Sequence, residues 1–68
     1  MKNTYIHLIY SYGVVEFFEL ISATNYMSNK ALTKNALPLE IKCSDEKQGR
    51  FMKRYFSLIQ NSLKSEVL

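Results

Sequence analysis

Apolar and aromatic side chains alternate with other residues near the start of the chain. Ile6, Leu8, Tyr10 and Tyr12 occupy every second position, and this spacing places them on one face of a β-strand. The opposite face mixes polar and apolar side chains. We therefore predict a strand in residues 4–12 that is buried on the face bearing these four side chains.

From residue 14 the apolar spacing becomes that of a helix. Val14, Phe17, Phe18 and Ile21 recur at intervals of three or four residues, and the glutamates between them fall on the opposite side. Such a distribution is typical of an amphipathic helix. The pattern predicts a short helix that ends near Ser22.

A second short helix is predicted to follow at once. The Thr24 hydroxyl can cap it by accepting a hydrogen bond from a free amide of the first turn. Met27, Ala31 and Leu32 are predicted to face inward. Asn35 suits the position just beyond the helix, because asparagine tolerates a left-handed backbone.

The rest of the chain predicts a hairpin and a last helix. Apolar and polar residues alternate from Leu39 to Cys43, which indicates a short strand. A charged turn follows in residues 44–49, and residues 50–51 either begin a return strand or open the last helix. The core face of that amphipathic helix is predicted to consist of Met52, Phe56, Ile59 and Leu63.

These elements predict a single domain of the α+β class, mainly α with a small β hairpin. The favoured arrangement is a winged helix-turn-helix, with a strand or arm in residues 1–12, the helix-turn-helix in 13–38, the wing in 39–51 and the C-terminal helix in 52–68. The alternative is β-α-β-α, in which residues 4–12 pair with residues 39–43 and two helices pack on one face of a small sheet. A break between two helices at residues 22–24 would distinguish the first arrangement from the second.

Charge is concentrated in the second part of the chain. Residues 1–29 hold one lysine and two glutamates, a net charge of −1, whereas residues 30–68 hold eight basic and four acidic side chains, a net charge of +4. A basic half on a small domain is expected of a protein that binds a polyanion. A solvated basic face without a nucleic-acid partner is the alternative interpretation.

Few side chains could support catalysis or bind a metal. Cys43 is the single cysteine and His7 the single histidine, and neither has the partners that a metal site or a catalytic set needs. We interpret Cys43 as an ordinary packed thiol and His7 as a structural or surface residue. The chain is therefore expected to be no enzyme and to need no cofactor or metal.

Two features bear on location. A lone thiol favours a reducing compartment, and Glu16 and Glu19 are costly inside a bilayer. We therefore expect a protein of the bacterial or host-cell cytosol with no membrane partner.

Residues 17–38 also carry a family resemblance. They combine an aromatic and Leu-Ile helix (FFELI), a threonine cap at Thr24, a second helix, Asn35 and the pair Leu37-Pro38. This order resembles the helix-turn-helix of small phage excisionases and AlpA-type regulators. The sequence departs from the family at Ser22, where glycine is common, and in a recognition helix that lacks arginine. The resemblance implies a winged helix-turn-helix that bends DNA and steers an integrase toward excision, or that represses a promoter.

In this interpretation the second helix contacts bases and the hairpin and last helix hold phosphates. The helix residues are Asn25, Tyr26, Asn29, Lys30, Thr33 and Lys34. The phosphate-binding residues are Lys42, Lys47, Arg50, Lys53 and Arg54. The expected partners are double-stranded DNA, an integrase or a host protein, and further copies of the chain on DNA.

A second functional interpretation is a protein-binding module. A phage or mobile element would encode it as an inhibitor of a host protein, and the partner would complete a marginal fold. This interpretation is favoured if residues 25–34 continue the helix before them.

Overall fold

The described residues form three strands and two helices. The computed structural model describes residues 4–66, with side chains for residues 4–63. The elements in chain order are β1 (Ile6–Tyr10), β2 (Gly13–Phe17), α1 (Leu20–Lys34), β3 (Glu40–Cys43) and α2 (Glu46–Glu66). The strands form an antiparallel sheet in the order β2-β1-β3, and both helices pack on one face of it. The predicted α+β class is confirmed, whereas a winged helix-turn-helix is not.

Strand β1 lies at the centre of the sheet and follows the predicted alternation. Ile6, Leu8 and Tyr10 are buried against the helices, as the sequence pattern predicted. Tyr12 is the exception, with 58% of its surface exposed. The chain reverses at Ser11 and Tyr12 to form a hairpin in which Tyr10 pairs with Gly13, so Tyr12 lies in the turn rather than in the strand.

The predicted helix from Val14 to Ser22 is wrong, because residues 13–17 form β2. Val15 and Phe17 point toward the core and Val14 is exposed. Over so few residues the same apolar positions fit both a period of two and a period of 3.6. Valines and a phenylalanine directly after a tight turn favour the strand.

Helix α1 runs without a break, so the predicted turn at residues 22–24 is also wrong. Ala23 is fully buried in the middle of that segment. The Thr24 hydroxyl donates to the carbonyl of Ile21 instead of capping a new helix. Neither glycine nor proline interrupts α1, and nothing therefore stops the helix before Asn35. There the prediction is confirmed, since Asn35 adopts a left-handed conformation with φ 52°.

The inward face of α1 is confirmed for Met27 and Ala31, which are buried. The prediction that Leu32 faces inward is wrong, because 76% of its surface is exposed. Helix α1 begins at Leu20, before the Thr24 cap predicted for the second helix. Ala23, Met27 and Ala31 therefore define the face toward the sheet. Leu32 lies about 100° away from Ala31 around the helix axis.

The predicted wing at residues 39–51 is wrong as well. Strand β3 forms, but it pairs with β1, with Leu8 opposite Ile41, and no return strand follows. Helix α2 begins at Glu46 instead. Asp45 caps it by accepting a hydrogen bond from the Gln48 amide at 3.1 Å, which satisfies one of the free amides of the first turn. The pairing of β1 with β3 under two helices is the one that the alternative arrangement predicted.

The core face of α2 is confirmed. Met52 is fully buried, and Phe56 and Ile59 are packed against the core. Leu63 is half-buried, and the predicted end of the helix at residue 68 lies outside the described residues. Within the described residues, no helix combines the length and the apolar character needed to cross a membrane.

We predict that alanine substitution at the two glycines changes stability in opposite directions. Gly13 has φ +145°, where a side chain is strained, so Gly13→Ala should lower the free energy of unfolding by about 1–3 kcal/mol. Gly49 lies in α2, and an added Cβ would meet the Cys43 Cβ at 3.4 Å, an ordinary contact. Gly49→Ala should therefore raise stability by up to about 1 kcal/mol through helix propensity. Urea unfolding of both variants measures the difference, and equal effects would contradict this account.

Candidate nucleic-acid interface

Five exposed basic side chains gather at one edge of the molecule. We call them the basic surface, and they are Lys42 on β3 and Lys47, Arg50, Lys53 and Arg54 on α2. Glu16 and Glu19 belong to β2 and the loop after it. Because β1 separates β2 from β3, these two glutamates lie at the edge of the sheet opposite the basic surface.

Helical spacing brings most of the basic surface to one face of α2. Lys47, Arg50 and Arg54 are three or four residues apart, so they share one side of the helix. Phe51 lies among them, and 49% of its surface is exposed. With Lys53 these four side chains line an open depression of about 670 Å³.

A second depression of about 490 Å³ lies between β3 and α2. Tyr5 and Lys42 line it together with Arg50 and Lys53, which also line the first depression. The two hollows are therefore adjacent and share Arg50 and Lys53. Asp45 and the neighbouring Glu46 stand in the same hollow, so it is not uniformly positive.

The basic surface is available for an external anion. Within the residues that the structure describes, the close contact found between a basic and an acidic side chain is the hydrogen bond between His7 Nε2 and Glu16 Oε2, 2.7 Å apart. No carboxylate of the described side chains lies within 4 Å of a cation of the basic surface. Asp45 could have neutralised one of these cations, but one of its carboxylate oxygens caps α2.

The residues predicted to contact bases lie on α1 and do not line either depression. Asn25 and Asn29 face outward as predicted. Thr33 is exposed as predicted, although its hydroxyl donates to the Asn29 carbonyl at 2.7 Å. Lys30 is half-buried, with its Nζ 5.4 Å from the centre of the Tyr26 ring, and Lys34 is exposed in the last turn. These side chains do not join the basic surface in one cleft.

Tyr26 does not face outward as predicted, because it belongs to an aromatic cluster around the hairpin. Its ring lies 5.8 Å from that of Tyr10 and 5.3 Å from that of Phe17. Its hydroxyl is 3.1 Å from that of Tyr12, whose ring in turn stacks on Tyr10 at 4.9 Å. The cluster fixes the hairpin to α1 and leaves little of Tyr26 for a nucleic-acid base.

Tyr10 is the buried member of this cluster. Its hydroxyl has no hydrogen-bond partner within the described residues. Burial, and to a lesser extent the neighbouring Tyr26, raises the pKa of Tyr10 to about 12. Folding therefore keeps this phenol protonated at a pH where the unfolded chain would ionise it.

Tyr10→Phe should leave stability at pH 7 unchanged or raise it by about 1 kcal/mol, since it removes a buried group that makes no hydrogen bond. Because folding raises the pKa of Tyr10 from 10.0 to about 12, ionisation of this phenol does not affect the free energy of unfolding below pH 10. It lowers that free energy as the pH rises toward 12. The variant should lose less stability than the parent between pH 9 and pH 11. Urea unfolding of both proteins at pH 7, 9 and 11 measures these differences in stability. A loss above about 1 kcal/mol in the variant at pH 7 would show that the hydroxyl has a hydrogen-bond partner.

A second surface lies at the β2 edge. We call it the apolar edge, and it comprises Tyr12, Val14, Phe18 and Ile21, each more than half exposed. In β1 the carbonyl of Ile9 accepts from Leu39 on the β3 side. Hydrogen bonding alternates along an antiparallel strand, so Val15 pairs with β1 and the backbone groups of Val14 point outward.

Sequence reasoning missed one signal and one contact near this interface. Asp45 and Gln48 have the spacing of a capping box, which would have placed the start of α2 at Glu46 instead of in a wing. With that start, Arg50 and Phe51 fall on one exposed face. The approach of Tyr5 to the same cations had no signal in the sequence, because it depends on how β1, β3 and α2 pack.

The chemistry of the remaining candidates is modest. Cys43 is a half-buried free thiol, as predicted, and His7 on β1 is also half-buried. Within the described residues, no three His, Cys, Asp or Glu side chains cluster in a way that could hold a metal ion.

Comparisons with protein-family models, with curated proteins and with solved structures gave no match for this chain.

Proposed function

We propose that this protein binds DNA and holds the phosphate backbone on the basic surface. The observation that carries the proposal is the concentration of five exposed cations on β3 and α2, none of them within 4 Å of a described carboxylate. Unpaired cations at one edge attract a polyanion and release its counterions on binding. The excisionase-like role is not retained, because it depended on a helix-turn-helix, and α1 is one continuous helix.

Salt dependence tests this proposal. If all five cations contact phosphates, the slope of log affinity against log salt should approach about −4.5 for duplex DNA. Affinity should then fall about 500-fold between 50 and 200 mM salt. The experiment titrates labelled random duplexes and single strands with the full chain and follows fluorescence anisotropy. Absence of salt-dependent binding to either form at micromolar protein would contradict the proposal.

A second candidate function is the protein-binding module, which is favoured because residues 25–34 continue the helix before them. The apolar edge also supports it. Strand β3 carries Lys42 and follows Pro38, two devices that protect a free strand edge from pairing. Strand β2 has neither. Its outward-facing backbone at Val14, beside exposed Phe18 and Ile21, fits an extended segment of another protein that adds a strand. Glu16 and Glu19 favour a segment with basic side chains.

This candidate is tested by hydrogen exchange. A host protein captured from nuclease-treated lysate is relevant only if its binding protects the Val14 and Glu16 amides and is lost in Val14→Pro. That substitution removes an outward-facing amide. Val14→Thr retains the amide and serves as the control. Capture that is equal for both variants would exclude strand addition at β2.

A further inference from the structure

The aromatic side chains around the basic surface bear on which form of DNA it holds. Phe51 lines the depression on α2, Tyr5 lines the one between β3 and α2, and Arg50 and Lys53 line both. Across the basic surface, the cations of Arg50 and Lys53 therefore lie between two aromatic rings. Phe51 and Tyr5 keep 49% and 40% of their surfaces exposed.

Both rings are held in place by a second ring. Phe51 is stacked with Tyr55 at an angle of 10° and a centroid distance of 6.4 Å. The Tyr5 ring lies against the His7 ring, with a centroid distance of 4.6 Å. The backbone amide of Tyr5 donates a hydrogen bond to the Ser44 hydroxyl at 2.9 Å, which restrains the backbone at this residue. Rings that are fixed in this way lose little entropy when a planar group stacks on them.

We propose that the basic surface binds single-stranded nucleic acid, with bases stacking on Phe51 and Tyr5 while Arg50 and Lys53 hold the phosphates between them. This inference rests on the proposed function and narrows it. In a duplex the bases are stacked on one another and offer no free face to a protein ring. Exposed rings set among cations suit unstacked bases, which present a π-face whatever their sequence.

The preference between the two forms is the first measurement. At 100 mM salt, a labelled 15-nucleotide oligo(dT) should bind at least tenfold more tightly than a random duplex of the same length. Equal or tighter binding of the duplex would overturn the inference and leave the proposed function standing. Absence of binding to either form would overturn both.

Substitution of the rings is the second measurement. Phe51→Ala should weaken binding of oligo(dT) by about fivefold to 150-fold, the range for one lost base–aromatic stack, and should leave duplex binding unchanged. Leu58→Ala is the matched control, because Leu58 is an exposed apolar residue of the same helix that lines neither depression. A preference for single strands that survives both Phe51→Ala and Tyr5→Ala would overturn the assignment of the rings.

A spectroscopic readout separates stacking from loss of fold. The chain contains no tryptophan, so Phe51→Trp introduces a single indole at the proposed stacking position. Its fluorescence should be quenched as oligo(dT) saturates the protein, with affinity equal to or above that of the parent. Saturation without a change in fluorescence would contradict stacking at this position.

Discussion

Leu8→Ala is expected to lower the free energy of unfolding by about 2–5 kcal/mol, the usual cost of truncating a fully buried leucine. Leu8 has no exposed surface and lies in the central strand, between Val15 of β2 and Ile41 of β3. A chain of this length has a total stability of about 3–10 kcal/mol. The variant should therefore lose a large share of its stability and unfold at a lower temperature and a lower urea concentration than the parent, as measured by circular dichroism and urea titration.

Leu32→Ala makes the same chemical change at an exposed position and is the control. Leu32 is 76% exposed, and alanine is the better helix former. Its stability should change by less than about 0.5 kcal/mol. Comparable losses in the two variants would mean that the sheet and α1 are not packed as described.

The second large effect concerns the basic surface. Arg50→Glu combined with Lys53→Glu should weaken binding to DNA at least about 100-fold at 50 mM salt, because two phosphate contacts contribute about 15-fold each through counterion release. The slope of log affinity against log salt should become shallower by about 1.8 for duplex DNA. Both side chains are exposed, so the fold should be retained. Anisotropy titrations at four salt concentrations give both quantities.

The control must distinguish the loss of two specific phosphate contacts from a general effect of the lower net charge. Four exposed positions outside the basic surface are changed to glutamate to give the same net charge: Ser11, Ser22, Asn61 and Ser62. This variant should retain most of its affinity and nearly all of the salt slope. If the two variants weaken binding to the same extent, the protein has a diffuse positive field and no defined phosphate site.

Part of the fold was predictable because some segments satisfy one periodicity only. The alternation at Ile6, Leu8 and Tyr10 fits a strand, and the stripe containing Met52 and Ile59 fits a helix; both are confirmed. Asn35 was predictable because few residues tolerate a positive φ. In these places local preference and tertiary packing agree.

The remainder depended on contacts that sequence spacing does not contain. Residues 13–17 fit either period, and pairing with β1 decides for the strand. The predicted wing failed because β3 found its partner in β1, far away in the sequence, and Asp45 then started α2. The cations of the basic surface were identified from charge alone, but their association with Phe51 and Tyr5 followed only from the packing of α2 beside β3.

The position of β1 between two chemically different edges has a further consequence. Neighbouring strands are about 4.8 Å apart, so β2 and β3 are separated by roughly 10 Å, and they share no surface residue. A polypeptide added along β2 would therefore not compete with a polynucleotide lying on β3 and α2. Occupying both would tether one macromolecule beside the other and raise its effective concentration there, as a bivalent adaptor does.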